Sequence, residues 1–259
     1  MIAMLKAEWR KASSTKVMWG LVVAAILFAC LNVSLLILLR PSAARDLPSG
    51  ALLTNADYIT NIIGSAGSSA FFALILGIIG MTAEYRHLTI TATFLAAPRR
   101  SQVLVAKTVL YLLIGAVMGA ITFAVSFALA IVLLASKEHA QIDGGQAMQI
   151  LGGVVLGYAI YAVLGVALGA LVRVQVAAVI GALAFTLIAE PLLGLFFDWA
   201  GRWLPGGALR AVLQATAASG RGVGTADLLP VWGGALVLIG YAVLFGVLAS
   251  ATTLRRDIT

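Results

Sequence analysis

Long apolar stretches alternate with short polar segments along the chain, and this pattern predicts six membrane-spanning helices. A helix needs about 20 mostly apolar residues to cross the hydrocarbon core of a bilayer. Six stretches meet this requirement: Val17–Leu39, Ile59–Met81, Val103–Ala135, Met148–Leu171, Ala177–Phe197 and Pro230–Leu254. The predicted fold class is an all-α membrane protein, with residues 1–259 forming a single transmembrane domain.

Composition agrees with a membrane protein and excludes several other classes. Hydrophobic residues make up 62% of the chain and charged residues 10%, whereas soluble domains carry about 25% charged residues. The net charge of +7 is interpreted as a topology signal and a contact with anionic lipid. No basic, aromatic-rich soluble region indicates a nucleic-acid site, and the single cysteine, Cys30, allows no intrachain disulfide.

The distribution of lysine and arginine predicts that both termini are cytoplasmic. Six spans place both termini on one side, and the cytoplasmic loops of membrane proteins carry the excess of basic residues. With the N-terminus inside, eleven basic residues lie on the inner side: Lys6, Arg10, Lys11, Lys16, Arg86, Arg99, Arg100, Lys107, Arg173, Arg255 and Arg256. Six lie outside: Arg40, Arg45, Lys137, Arg202, Arg210 and Arg221.

Residues 1–16 form a separate amphipathic element before the first span. Its apolar and basic side chains fall on different faces of a helix: Ile2, Leu5 and Trp9 against Lys6, Arg10 and Lys11. This pattern predicts an interfacial helix on the inner membrane surface, with Trp9 at headgroup depth and the basic side chains toward lipid phosphates. The alternative is a basic flank that only fixes the topology.

Residues 83–102, between the second and third spans, form a cytoplasmic segment with an unusual apolar centre. Ile90 and Phe94 share one face of a short predicted helix that ends before Pro98, and such a face requires a cover. A cytoplasmic partner is one cover, and the lipid headgroup layer is the other. The candidate contact residues are Glu84, Tyr85, Arg86, Ile90, Phe94, Leu95, Arg99 and Arg100. Glu84 and Arg86 are expected to contact either the partner or the N-terminal helix.

Residues 198–229, before the sixth span, are predicted to form an external segment. Trp199 and Trp203 are interface anchors. The run Pro205-Gly206-Gly207 is expected to break the chain, and "ALRAVLQATAA", Ala208–Ala218, to form a short amphipathic helix. A re-entrant gating element and a plain external loop remain alternatives.

Glu190 is the one carboxylate well inside a predicted span, and it directly precedes Pro191. Carboxylates within membranes are costly and usually functional, so Glu190 is a candidate pathway or gate residue. The alternative is that Pro191 breaks the helix, and that Glu190 reaches water or caps a backbone group.

Within the predicted spans, three pairs of glycines have the GxxxG spacing: Gly115/Gly119, Gly153/Gly157 and Gly165/Gly169. Small residues four apart allow two helix backbones to approach closely. Packing within one bundle is favoured over a dimer face.

The sequence lacks the motifs of the common catalytic and metal sites, so no catalytic residue and no metal ligand is predicted. No Gly-Lys pair occurs, which excludes a Walker A loop, and there is no HExxH motif. His87 and His139 fall on opposite sides of the membrane in the predicted topology. The segment "KEHAQID", Lys137–Asp143, is best interpreted as a solvated loop.

The chain resembles the permease subunits of ABC-2-type transporters, the bacterial exporters that share their membrane architecture with the ABCG group. The resemblance lies in three sequences: "AEWRKASSTKVMW" at Ala7–Trp19, "EYRHLTITATFLAAPRR" at Glu84–Arg100 followed by "VLVAK" at Val103–Lys107, and "RRDIT" at Arg255–Thr259. The six-span plan agrees with it. Leu88 departs from the pattern, because similar sequences usually have glycine there.

The resemblance implies six spans, an N-terminal interfacial helix, a cytoplasmic coupling helix within residues 83–102 and short outer re-entrant helices. Two permeases, identical or related, would form a dimer in the bacterial inner membrane. A separate ABC ATP-binding subunit, carrying ATP and Mg, would dock on the coupling helix, so this chain itself would hold no cofactor and have no ATPase site.

Two functions follow as hypotheses. The first is the permease of an ATP-driven exporter of a hydrophobic or amphipathic substrate, such as a drug, an antibiotic or a lipid, because the spans carry few polar groups. The alternative is a proton-coupled secondary transporter that uses Glu190. An intramembrane enzyme is disfavoured, because no nucleophile–base pair is present.

Overall fold

The structure is a computed structural model that describes residues 2–39, 56–86, 100–135, 144–197, 201–213 and 228–252. Within these ranges all regular structure is helical, which confirms the predicted all-α fold class. The first four helices are α1 (Ile2–Ser13), α2 (Lys16–Leu38), α3 (Ala56–Gly64) and α4 (Phe71–Arg86). The remaining helices are α5 (Arg100–Ala135), α6 (Gly144–Val172), α7 (Gln175–Ala184), α8 (Glu190–Phe196), α9 (Pro205–Val212) and α10 (Val231–Thr252).

Six helical stretches in the described ranges are long and apolar enough to cross a membrane, as the hydropathy pattern predicts. Helices α2, α5, α6 and α10 supply the first, third, fourth and sixth spans. The second and fifth spans are each built from two helices in line. Side chains on several of these helices point outward and are apolar, for example Leu27, Val132 and Val176. Such a surface suits contact with lipid tails.

The second span changes from α-helix to a 3₁₀ turn at Ser65–Ala70, between α3 and α4. The hydroxyl groups of Ser65, Ser68 and Ser69 each donate a hydrogen bond to the carbonyl three residues earlier, at 2.7 to 2.9 Å. Hydroxyl groups that bond to nearby carbonyls compete with the helical backbone, which explains the tighter turn at this serine cluster.

The second span is also longer than predicted. Its hydrophobic part ends near Met81, but α4 continues to Arg86, so Glu84 and Tyr85 lie on a helix. Helix α5 begins at Arg100.

Helix α6 lies at the centre of the bundle and contacts α4, α5, α9 and α10. Its side chains Tyr158 and Tyr161 are fully buried. The three GxxxG pairs all face neighbouring helices of the same chain: Gly115 and Gly119 meet α6, Gly165 and Gly169 meet α4, and Gly153 and Gly157 meet α9 and the residue after it. The favoured interpretation, packing within one bundle, is confirmed.

The described part of the external segment contains α9, and here one expectation was wrong. Pro205, Gly206 and Gly207 begin this helix instead of breaking the chain. Proline is favoured in the first turn of a helix, because its missing N–H would have no partner there and its φ is already helical. Residues 214–218 of the predicted amphipathic helix, and Trp199, lie outside the described residues.

Candidate functional site

Four charged side chains meet where α1 packs against the second and third spans, and we call Glu8, Lys11, Glu84 and Lys107 the charge cluster. The Lys107 ammonium donates to Glu8 Oε2 at 2.5 Å and lies 3.2 Å from Glu84 Oε1. The Lys11 ammonium donates to Glu8 Oε1 at 2.8 Å and to Glu84 Oε1 at 3.0 Å. Each lysine therefore bridges both carboxylates, and the four formal charges cancel.

Three members of the charge cluster are withdrawn from solvent. Glu8, Glu84 and Lys107 are 6%, 4% and 2% exposed, whereas the Lys11 side chain is 48% exposed. A buried charge is tolerated only when it is paired and hydrogen-bonded. The Lys107 ammonium satisfies this condition, because it also donates to the carbonyl of Gly80 at 3.1 Å.

The cluster joins three elements that are distant in sequence. Glu8 and Lys11 lie three residues apart and so share one face of α1. Glu84 lies in the last turn of α4, and Lys107 lies two turns into α5. The connection 87–99 runs between α4 and α5, so both of its stems are tied to α1 through the same four side chains.

The predicted partner-contact residues separate into three groups. Glu84 contacts Lys11, which is the N-terminal-helix alternative given for it above. The Tyr85 ring lies 5.8 Å from the Arg173 guanidinium, and Arg86 is exposed. Ile90, Phe94, Leu95 and Arg99 lie outside the described residues, and of Arg100 only its position as the first residue of α5 is described.

The amphipathic N-terminal segment forms a helix, α1, as predicted, and its side chains differ in their surroundings. Leu5 packs against the core, whereas Trp9 is 47% exposed and Arg10 is exposed. Lys11 does not follow the expectation that it points toward lipid phosphates. Its ammonium turns inward instead, because two buried carboxylates, Glu8 and Glu84, need a counter-charge.

Glu190 lies at the other end of the bundle and contacts backbone. Its Oε1 accepts a hydrogen bond from Gly207 N–H at 3.1 Å and another from Gly206 N–H. Both donors belong to the first turn of α9, whose N–H groups have no partner within the helix. The carboxylate is thus placed to cap a second helix.

The sequence pattern did not identify Glu8 as a site residue, and it marked Lys107 only as a topology signal and as the end of the "VLVAK" sequence. A usable signal was present, because Lys107 is a lone lysine among the apolar residues that begin the third span. Such a group needs a counter-ion, and on the predicted inner side few carboxylates other than Glu8 and Glu84 were available.

The pKa values of Glu8 and Lys11 define the pH range in which α1 stays in contact with α4 and α5. Burial raises the pKa of Glu8, but Lys107 and Lys11 outweigh it, and the pKa lies below its ordinary 4.5. Burial lowers the pKa of Lys11, but its bonds to Glu8 and Glu84 outweigh it, and the pKa lies above its ordinary 10.5. The Glu8 contribution to docking is complete above its ordinary pKa and is lost as pH falls through the lowered value.

We therefore expect α1 to stay docked near neutral pH and to be released in acid. A spin label at Ala7→Cys, in a Cys30→Ala background, should be immobile near pH 7 and gain mobility only as the pH falls below 4.5, the ordinary pKa of the Glu8 carboxyl. Glu8→Gln should make the label mobile across the whole range and remove the acid transition. A label on the parent protein that keeps the same mobility from pH 7 to well below 4.5 contradicts this assignment.

Most of the chain matches a known protein family. The family described as ABC-2 family transporter protein matches residues 41–251. The chain belongs to the ABC-2 transporter family. A comparison with curated proteins gives no match. Membership makes this ABC-2 chain a multi-pass membrane transport component and implies association with an ABC ATP-binding subunit. Glu84 and Lys107 of the charge cluster lie within the matched region, whereas Glu8 and Lys11 precede it.

Proposed function

We propose that this ABC-2 chain is the permease subunit of an ATP-driven exporter, and that the charge cluster transmits the movement of a partner ATPase to the membrane helices. The observation that carries the proposal is the attachment of α4 and α5 to α1 by Lys107 and Lys11 on either side of residues 87–99. The family match supports the transport class.

The charge cluster makes α1, α4 and α5 rigid relative to one another. A force applied to the 87–99 connection acts on the last turn of α4 and the first turns of α5. Separating these stems from α1 would break the Lys107–Glu8 and Lys11–Glu84 ion pairs, which is unfavourable for buried charges. The three elements should therefore move together, and α4 packs directly on the central helix α6. A shift at the cytoplasmic end is thereby passed to the core of the bundle.

The apolar spans, the distribution of basic residues and the family match support the remaining parts of the proposal. The cargo is a hydrophobic or amphipathic molecule, such as a drug, an antibiotic or a lipid. Two permeases surround the transport path in a bacterial inner membrane, with N- and C-termini in the cytoplasm. ATP and Mg are bound by the partner subunit, which docks on the segment that contains Ile90 and Phe94.

The docking proposal is tested by truncating its apolar anchor. Phe94→Ala should leave the permease folded and inserted but weaken binding of the ATP-binding subunit by about 2 kcal/mol, roughly 30-fold, if Phe94 is a central anchor. Co-purification of the two subunits and ATP-dependent transport in proteoliposomes provide the measurements.

Phe196→Ala is the matched control. Phe196 is 73% exposed at the opposite end of the fifth span, so this variant should retain the ATPase. If Phe94→Ala and Ile90→Ala both keep the partner and full transport-coupled hydrolysis, the docking proposal is wrong. Transport driven by a pH gradient with no ATPase present would replace the ATP-driven function by the secondary-transporter alternative.

A further inference from the structure

The carboxylate of Glu190 holds the beginning of α9 through hydrogen bonds to backbone alone. Gly206 N–H and Gly207 N–H both donate to Oε1, and the residue is 6% exposed. A carboxylate at a helix N-terminus is favoured by the unpaired N–H groups and by the helix dipole. These two hydrogen bonds involve no side chain of α9, so they depend on where the helix begins.

Helix α9 fills the end of the bundle that is far from the charge cluster. Ala208, Leu209 and Val212 are buried against α6 and α10. A methyl group built on Gly153 of α6 would lie 2.4 Å from the Val212 carbonyl oxygen, and one on Gly234 of α10 would lie 2.5 Å from the Ala208 carbonyl oxygen. The backbone of α9 thus contacts two spans directly and lies between them.

Gly206 is the residue that lets the carboxylate come close. A methyl group at this position would lie 2.7 Å from Glu190 Oε1 and 2.9 Å from its carboxyl carbon. The carboxyl group is the free end of a flexible side chain, so alanine here would displace the carboxyl group and leave the helix intact. The contact between Glu190 and α9 can therefore be weakened without touching Glu190 itself.

The fifth span contains a π-helical turn directly before Glu190. A π-helical turn covers Phe185–Ala189, and the N–H of Glu190 donates to the Phe185 carbonyl. Pro191 has no N–H for the Leu187 carbonyl, so an ordinary α-helical ladder would be incomplete here. Conversion of a π turn to α-helix shifts the register by one residue, about 100° of rotation. This rotation would carry the Glu190 carboxylate away from α9.

The contact between Glu190 and α9 also leaves two buried polar groups without a hydrogen-bond partner among the described residues. Glu190 Oε2 and the Tyr161 hydroxyl are buried without a hydrogen-bond partner there. Arg210, on α9, is a nearby cation that interacts electrostatically with both groups. A fully bonded network would resist opening, whereas unpaired buried groups raise the energy of the closed arrangement. Glu190 is thus held by hydrogen bonds to only one of its two carboxylate oxygens among the described residues.

We propose that Glu190 is a positioning residue that latches α9 as a plug at the far end of the bundle, and that rotation over the π turn releases it. Opening of the plug would let cargo leave at that face, a step that rests on the proposed export function. The latch itself is a property of this chain and does not require the ATPase.

The test measures access to the buried face of α9 in intact cells. Val212 is 1% exposed, so Val212→Cys in a Cys30→Ala background should react slowly with an impermeant maleimide added outside. Glu190→Ala should raise the labelling rate about tenfold or more, because two bonds to a charged acceptor are lost. Gly206→Ala should raise it in the same direction, and Glu190→Gln, which keeps an acceptor oxygen, should raise it less.

Gly152→Ala is the matched control, because a methyl group there meets nothing within 4 Å, and it should not change the rate. Should Glu190→Ala fail to fold, Gly206→Ala still decides the question with Glu190 in place. Labelling of Glu190→Ala and Gly206→Ala at the parent rate overturns the latch. This result is independent of ATPase co-purification, so failure of the latch and failure of the proposed function are distinguishable.

Discussion

Replacing Lys107 by methionine is expected to destabilise the permease by about 3–5 kcal/mol and to lower its apparent melting temperature by on the order of 10 °C. The reason is that Glu8 and Glu84 stay buried while Lys107, their fully buried counter-charge, disappears. Lys11 can compensate little, because its own side chain is half exposed. The melting temperature of the detergent-solubilised protein, followed by loss of the monodisperse size-exclusion peak, measures the effect.

Two further variants show whether the loss comes from orphaned charge. Lys6→Met removes an exposed lysine from α1 and should leave the melting temperature within about 1 °C of the parent value. Adding Glu8→Gln and Glu84→Gln to Lys107→Met should restore most of the lost stability, because an uncharged buried cluster carries no unpaired charge. A Lys107→Met protein as stable as the parent would show that the cluster is not buried as described.

Gly165→Leu is expected to prevent α4 from packing on α6, and it should abolish recovery of monodisperse protein. Even the methyl group of alanine at this position would lie 2.1 Å from the Leu74 carbonyl oxygen and 3.0 Å from the Ile78 nitrogen. Both atoms belong to the α4 backbone, so no side-chain rotation relieves the clash and the two helices must separate. Gly165→Ala should cost about 1–3 kcal/mol or more.

The same substitutions at Gly152 provide the control within the same helix. Gly152 lies on an open face of α6, so Gly152→Leu and Gly152→Ala should keep a normal size-exclusion profile. The alanine variant should gain slightly in stability, since alanine favours the helix over glycine by about 1 kcal/mol. Equal behaviour of Gly165→Leu and Gly152→Leu would rule out the close contact between α4 and α6.

The all-α class and the six spans could be predicted from the pattern of residues alone, because both depend on local properties. A stretch of about 20 apolar residues has few alternatives to a spanning helix, whatever lies around it. The amphipathic spacing of Leu5 and Trp9 likewise predicted α1. Glu190 stood out for the same reason, since a charge inside an apolar run is visible without a structure.

The ion-pair partners in the charge cluster depend on how the helices pack, because these residues lie far apart in the chain. Glu8 and Lys107 are separated by 99 positions, and Lys11 and Glu84 by 73. No local pattern specifies which carboxylate forms an ion pair with which lysine once the helices pack. The inward turn of Lys11 was therefore missed, since an amphipathic pattern shows which face is basic and not which basic side chain meets a buried acid.

The beginning of α9 shows the same division. Locally, Pro205-Gly206-Gly207 resembles a break, because glycine weakens helices and proline ends them. In the fold, the Glu190 carboxylate, 16 and 17 positions away, accepts the hydrogen bonds of Gly206 and Gly207. Local propensity determines the spans, because a chain buried in lipid must satisfy its own backbone hydrogen bonds and therefore forms a helix. The charge cluster and the Glu190 contact have a different origin. They exist only because packed helices bring distant groups within hydrogen-bonding distance.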